Sequence, residues 1–341
     1  MKILVATIGF GSGHNRAADA VAERVQDEFP DADVKVVDFL NWHKGLWDSL
    51  TVFFYFNSIK YIPSVYHALY RMTSSLKMLH GFVFGKYIKK MEMFLKDFPA
   101  ELIISTHVFC AKASCVNKRK NPRVKAVWGV LTDFMDDRYW NTMQLDRFYV
   151  ATEELKVKLV KKGIRKDTII VAPIPVKKEF LRKNGKTEAV GNLNEHLSPN
   201  MFTVLVLGGG NGLGSLHEVT GSLLELPVQI LVVTGINTRL KEELDKLKHG
   251  FPNLFVYGFV SNVHDMMDIA DVCITKPGGA TIAECLAKNL PIVIYGDPLP
   301  GPETENIEYL VREGFSEFYS TPLELRTGIS NRLVEYKTGK I

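Results

Sequence analysis

KILVATIGFGSGHNRAADAVAERV, residues 2–25, decides the fold. The apolar and β-branched residues after Lys2 predict a strand over 2–8. Gly9, Gly11 and Gly13 make a turn, and Ala17, Ala18, Val21, Ala22 and Val25 then recur at three- and four-residue spacing, which predicts a helix over 15–29. Strand, glycine turn and helix make half of a βαβ unit, so a parallel sheet is expected. Further strands are predicted at 34–39, 101–105, 124–131, 147–151 and 168–171. The pattern restarts at 202–207, 228–233, 254–257, 272–275 and 291–295, with helix-length amphipathic segments between most of these runs. Two Rossmann-like α/β halves follow. Residues 177–200 are polar, weakly periodic and rich in Lys, Glu and Asn, which reads as a linker. The boundary is placed near residue 180, with domains at 1–180 and 181–341.

Composition bounds the function. In 341 residues, 46% hydrophobic and 23% charged supplies enough apolar side chain for two cores and excludes a disordered or fibrous chain. A net charge of +4 is too small to mark a nucleic-acid binder, so no nucleic-acid partner is expected, though it suits an anionic ligand or surface. Cys110, Cys115, Cys273 and Cys285 have no CxxC spacing, which argues against a zinc ribbon or a disulfide scaffold and for a reducing, cytoplasmic compartment. The apolar start is shorter than a signal-peptide core, and the longest uncharged stretch considered, 49–59, is too short to span a bilayer.

One segment departs from plain βα alternation. Residues 41–96 hold 13 aromatics, eight Lys or Arg and only two acids, Asp48 and Glu92. Such an insert is either buried helix packing or an interfacial surface, in which aromatic rings sit at headgroup level and lysines face anionic lipid. On the second reading Trp47, Phe53, Phe54, Tyr55, Lys86, Lys89 and Lys90 are the anchors.

Four stretches carry chemistry. Gly9 to His14 reads GxGxG and has His14 where a dinucleotide fingerprint needs its third glycine, so NAD binding loses its main support even though Asp38 ends the second strand. Gly11 and Gly13 let a polar ligand approach the backbone. His14, at a helix start beside the carboxyl ends of parallel strands, is a candidate general base, because the positive helix end favours neutral imidazole. The second glycine run spans Gly208 to Gly214 and includes Gly209, Gly210 and Asn211; it lacks a Walker GK[ST] ending but can cradle a nucleotide or phosphate. TKPGGATIAE, residues 275–284, places Gly278 and Gly279 at a helix start where N–H groups and the dipole can hold a diphosphate without metal. There Thr281 can cap, Lys276 can add charge or be solvated, and Glu284 can accept two ribose hydroxyls. DPLPGPETEN, residues 297–306, is a proline-rich loop whose Glu303 and Asn306 either grip sugar hydroxyls or belong to a helix start capped by Thr304.

GFGSGHNRAADA at residues 9–20 and TKPGGATIAECLAKNLPIVIYGDPLPGPETENIEYL at 275–310 together resemble the diacylglycerol glycosyltransferases. That group holds the bacterial processive glucosyltransferases and the plant monogalactosyldiacylglycerol synthases, related to the peptidoglycan GlcNAc transferase in glycosyltransferase family 28. The resemblance implies a GT-B fold, two Rossmann-like domains with parallel sheets facing across a cleft, the first for the acceptor and the second for a nucleotide sugar. It implies an inverting transfer of glucose or galactose from a UDP-sugar to diacylglycerol or a glycosyl-diacylglycerol, at the inner face of the cell membrane, with no metal and no further cofactor. Carried over by position, His14 matches the catalytic base with Asp133 in reserve. Gly278, Gly279 and Thr281 match the diphosphate loop, Glu284 the ribose ligand, and Glu303 and Asn306 the loop near the donor sugar. Phe259 matches the segment whose backbone contacts the base.

There are departures. Pro302 stands where relatives carry a glutamine, the block TDFMDDRYW at 132–140 lacks the usual histidine, and about twenty residues after Tyr319 leave room only for a short returning C-terminal helix. Two alternatives stay open at this point: a UDP-GlcNAc transferase acting on a polyprenyl-linked acceptor, and a non-catalytic UDP-sugar-binding protein.

Overall fold

The computed structural model describes residues 1–9, 12–43, 45, 77–135, 140, 143–193, 196–210, 212, 215–296 and 302–340. The chain divides into two compact units, Met1–Pro175 and Val176–Ile341.

In the first unit the elements run β1 (Lys2–Thr7), α1 (Ser12–Glu28), β2 (Asp33–Asp38), α2 (Lys77–Asp97), β3 (Leu102–Ser105), α3 (Val108–Lys120), β4 (Ala126–Val130), β5 (Arg147–Val150), α4 (Glu153–Lys161) and β6 (Ile169–Val171). The six strands pair in parallel in the order β2-β1-β3-β4-β5-β6. Alternation along β1 builds both faces: Ile3 and Val5 pack with Ala18, Val21 and Val25 of α1, while Leu4 and Ala6 join Met91 and Leu95 of α2 and Ala111 of α3. The chain leaves β1 to one side for β2 and returns on the other for β3. Their carboxyl-end loops therefore diverge, and that gap is where open α/β sheets bind ligands.

The second unit contains α5 (Lys178–Leu181), α6 (Lys186–Leu193), β7 (Thr203–Leu207), α7 (Leu216–Leu223), β8 (Gln229–Val233), α8 (Thr238–Asp245), β9 (Leu254–Tyr257), α9 (Val263–Ile269), β10 (Val272–Thr275), α10 (Gly279–Ala287), β11 (Ile292–Tyr295), α11 (Pro302–Arg312), β12 (Ser316–Tyr319) and α12 (Pro322–Lys337). Its strands are again parallel, in the order β12-β11-β10-β7-β8-β9. Counted from β7 this is the order 3-2-1-4-5-6 read from the other edge, with its reversal between β7 and β10.

Several expectations change. Residues 177–200 are not a bare linker: α5 and α6 pack within the second unit, and their polar side chains are spent on buried carboxylates. Lys186 bonds Asp271 at 2.6 Å, Asn192 bonds Asp265 at 3.0 Å, and the Asn184 N–H donates to Asp268 at 3.3 Å. In the aromatic insert, α2 follows the buried-helix reading, with Tyr87, Met91 and Leu95 in the core. Lys90 is not a surface anchor, because it is buried and donates to the Phe39 and Trp42 carbonyls at 2.9 Å each. Lys86 is half-buried and Lys89 exposed, while Trp47, Phe53, Phe54 and Tyr55 lie outside the described residues. After Tyr319, α12 opens on a Thr321–Glu324 capping box with Pro322 in its first turn and buries Leu325, Ile329 and Leu333 in the core of the second unit. Among the described residues no helix is long and apolar enough to cross a membrane.

One buried ion pair ties three elements of the second unit together. Lys288, at the C-terminus of α10, places Nζ 2.7 Å from Asp268 of α9 and donates to the Arg182 carbonyl after α5; the two side chains are 1% and 0% exposed. Removing one partner of such a pair strands the other without water. Lys288→Ala should therefore lower the unfolding free energy by about 3–5 kcal/mol, read by chemical denaturation against the parent chain.

Candidate functional site

The β1–α1 loop is drawn tight by a carboxylate. Asp38, at the end of β2, accepts N–H bonds from Gly9 at 3.1 Å and Leu40 at 2.9 Å, and side-chain amide bonds from Asn15 at 3.3 Å and Asn41 at 2.6 Å. Four donors occupy the carboxylate that a dinucleotide site would need for ribose, a second reason against NAD. A Cβ on Gly9 would lie 2.6 Å from Asn15 and 2.7 Å from Asp38, so only glycine fits beneath this knot. Helix α1 starts at Ser12, earlier than expected, which puts Gly13 and His14 in its first turn; Gly11 lies outside the described residues.

His14 sits at the reversal between β1 and β3. Its Nδ1 lies 3.1 Å from the Thr106 carbonyl, just past β3, and 2.9 Å from the Thr132 hydroxyl, just past β4. The Thr106 hydroxyl donates to the His14 carbonyl at 3.2 Å. A carbonyl can only accept, so in the neutral ring it assigns the proton to Nδ1 and leaves the lone pair on Nε2, the form a general base needs. Burial pushes the His14 pKa below the usual 6.5, and the Thr106 bond opposes this in part. Drying thus favours the neutral ring in the same sense as the helix end credited from the sequence. His107 packs edge-on against it with ring centroids 4.8 Å apart. It caps α3 by accepting the Phe109 N–H at 3.2 Å, and its own pKa lies well below 6.5 through burial and the neighbouring His14 charge. Asp133, the reserve base, is half-buried next to Thr132. Thr106, His107 and Thr132 were not named as site residues from the sequence, although STH at a strand exit, polar after an apolar run, was a visible signal.

At the reversal in the second unit, the loops after β7 and β10 flank the gap. Gly209 and Gly212 have φ of +66° and +58°, and a Cβ on Gly212 would stand 2.0 Å from the Thr234 carbonyl, so the turn over β8 closes only with glycine. The Gly210 carbonyl accepts the Ile236 N–H at 3.0 Å, which stitches this turn to the loop after β8; Asn211 lies outside the described residues. Lys276 runs between the two glycine segments: its Cε lies 3.8 Å from the Cβ position of Gly209 and 3.9 Å from that of Gly278, and its Nζ meets Glu303 at 3.1 Å. It is an ion-paired residue rather than a solvated one.

The cap of α10 differs from expectation. Gly278 is the N-cap and offers no side chain, while Thr281 is buried in the third helical position. Glu284 is buried further along the same helix. Thr304 lies inside α11 rather than capping it. Asn306 is wholly buried and its amide donates to the Pro277 carbonyl at 3.3 Å, so in this structure it holds the loop that presents Gly278 and Gly279. Phe259 is 72% exposed after β9 and Ile236, not anticipated from the sequence, is 65% exposed after β8; the two mark the carboxyl end of neighbouring strands.

Comparison with known proteins places both arrangements in one family. Residues 14–176 match the monogalactosyldiacylglycerol (MGDG) synthase family, and residues 203–325 match the glycosyltransferase family 28 C-terminal domain. A processive diacylglycerol beta-glucosyltransferase of Staphylococcus saprophyticus is 31% identical over 327 residues, covering 94% of this chain and 82% of the relative. The chain belongs to the diacylglycerol glycosyltransferases of family 28. Among solved structures, the S. aureus MnaA–UDP co-structure has a TM-score of 0.62 at 10% identity, covering 98% of this chain and 88% of that one. Acinetobacter baumannii MurG has a TM-score of 0.56 at 14% identity, covering 97% and 90%. At such identities the likeness speaks for the fold alone, and the fold is GT-B.

This glycosyltransferase therefore carries a histidine pair in the unit matched by MGDG synthase and a glycine-lined turn in the unit matched by family 28. The pair sets an acid sensitivity with a definite sign. Both rings resist protonation when folded, while in the unfolded chain they take up protons as pH falls through 6.5. Their contribution is intact above that value and is lost as pH drops toward the lower folded-state values. The thermal midpoint should fall as pH is lowered from about 7 to about 5, and it should fall less in the double variant H14Q/H107N. Equal slopes for the two proteins would contradict the assignment.

Proposed function

We propose that the chain transfers a hexose from a UDP-sugar to the free hydroxyl of diacylglycerol or of a glycosyl-diacylglycerol, with inversion in a single displacement. The observation that carries this reading is the Thr106 carbonyl at Nδ1 of His14, which leaves Nε2 as the basic nitrogen of a neutral, partly buried imidazole. His14 takes the hydroxyl proton as that oxygen attacks the anomeric carbon. The uncapped start of α10 at Gly278 and Gly279, together with the Lys276 ammonium, stabilises the charge that develops on the departing UDP. Those charges support transfer without a metal, and chelator should leave turnover unchanged. Glu284 serves the ribose, Phe259 the base, and Glu303 the sugar. Support for the acceptor and donor classes comes from the S. saprophyticus relative, named a processive diacylglycerol beta-glucosyltransferase, and from the UDP bound in the MnaA structure.

His14→Ala should lower kcat by about 10²–10⁴-fold and leave UDP affinity nearly unchanged, measured by turnover and calorimetry. Near-normal turnover in His14→Ala together with loss in Asp133→Asn would move the base to Asp133. Incubation with diacylglycerol liposomes and UDP-glucose, UDP-galactose or UDP-GlcNAc in turn, followed by thin-layer chromatography, identifies the donor; no lipid product from any of them would sink the reading. Lys276→Met should weaken UDP binding, because it removes the one side-chain cation placed between Gly209 and Gly278 among the described residues.

The acceptor lives in a bilayer, and we propose that the chain works at the inner face of the membrane as a peripheral protein, without a nucleic-acid partner. Lys89 and Met93 are exposed on α2, within the aromatic and basic segment 41–96. Flotation with anionic liposomes should exceed flotation with neutral ones; equal and negligible binding to both would end the peripheral reading.

A further inference from the structure

His107 has a buried, titratable ring that the transfer step does not use. It lies in the loop between β3 and α3, immediately after Thr106, whose carbonyl and hydroxyl both bond His14. Its Nδ1 accepts the Phe109 N–H at 3.2 Å, which assigns its proton to Nε2 and locks the ring by a helix cap. The far side of this ring is walled by aromatics: Phe109 stands edge-on with centroids 5.0 Å apart, and Phe109 in turn packs on Phe84 and Tyr87 of α2. A rigid, dry plane is thus laid against His14, with the two imidazoles 81° apart at 4.8 Å between centroids.

We propose that His107 is a positioning residue for His14: its capped ring walls one side of the base from water and, with the Thr106 carbonyl, fixes the orientation and tautomer in which Nε2 carries the lone pair. This rests on His14 being the base, as read above. The other titratable groups around the pair are already committed. Asp38 from β2 is spent on four N–H donors, and Cys110 of α3 donates to the Thr7 carbonyl and keeps its proton because burial raises its pKa. Arg16 follows on α1 itself, and Asp133 lies one residue past Thr132 beyond β4.

Two variants separate the ring from the cap. His107→Asn keeps an acceptor for the Phe109 N–H and removes the ring, whereas His107→Phe keeps a ring against His14 and removes the cap. The His14 ring is titrated by ¹⁵N-resolved NMR, and kcat/KM is followed from pH 5.5 to 8.5 on diacylglycerol liposomes. With His107→Asn the His14 titration should move to higher pH, and the ratio of kcat/KM at pH 5.5 to that at pH 8.5 should fall, with about threefold as the ceiling for each half pH unit of movement. His107→Phe should leave the titration low even if its thermal midpoint drops. An unmoved titration in His107→Asn, or equal movement in both variants, would overturn the proposal. If the NMR titration rises in His107→Asn while the kcat/KM profile does not follow, His107's hold on the ring is upheld and His14 as the base is overturned.

Discussion

A parallel sheet whose strand order reverses opens a gap between two carboxyl-end loops, and both units of this chain are organised around that constraint. In the first the gap lies between β1 and β3, and in the second between β7 and β10. The candidate chemical groups among the described residues gather there, because the diverging loops leave helix starts and polar side chains facing open space. The two gaps are furnished differently. The first holds two imidazoles, one of them seated on a carbonyl and a hydroxyl; the second holds glycines, an N-cap without a side chain and, among the described residues, one cation. Proton transfer and anion binding ask for those two furnishings respectively.

Charged side chains that look available in the sequence turn out to be internal struts. Asp38 ends a strand where a dinucleotide enzyme keeps its ribose acid, yet here it gathers the β1–α1 loop, the start of α1 and the turn after β2 onto one carboxylate. Lys90 ties α2 to the carbonyls beyond β2, and Lys288 ties α10 to α9 and α5. Each such group costs several kcal/mol to dry and is held by hydrogen bonds to more than one element, so its role is to fix where a loop stands rather than to add stability. Lys276 differs in kind. It is only partly buried and its partner is a single carboxylate, so its charge can still be shared with an arriving phosphate.

What the sequence made legible follows from range. The strand, glycine turn and helix at residues 2–28 and the eleven strands named from apolar runs are local patterns, readable because burial on both faces leaves nearly continuous hydrophobic stretches. The twelfth strand, Ser316–Tyr319, escaped because an edge strand carries polar residues such as Ser316 and Glu317 and shows no such run. Residues 177–200 read as linker because a polar segment and a helix held by one ion pair and hydrogen bonds to carboxylates have the same composition; the partners, Asp265, Asp268 and Asp271, are some eighty residues away. His14 was visible, but Thr106, His107 and Thr132 reach it from 92 to 118 residues downstream, and only the sheet order brings them together.

The same range separates the two influences that favour a neutral His14. A helix start is a local feature and its dipole can be credited from the sequence, whereas burial is a property of the assembled loops. Drying a base is a stronger device than pointing a dipole at it, but it has two consequences a dipole lacks. It raises the importance of whatever fixes the tautomer, because a partly dried imidazole has fewer waters to satisfy its second nitrogen, and here a backbone carbonyl does that work in place of a carboxylate. It also couples the base to the fold: the wall on one side of the ring is the His107 imidazole with the aromatics behind it, so removing that ring reaches the proton affinity of His14 without touching it.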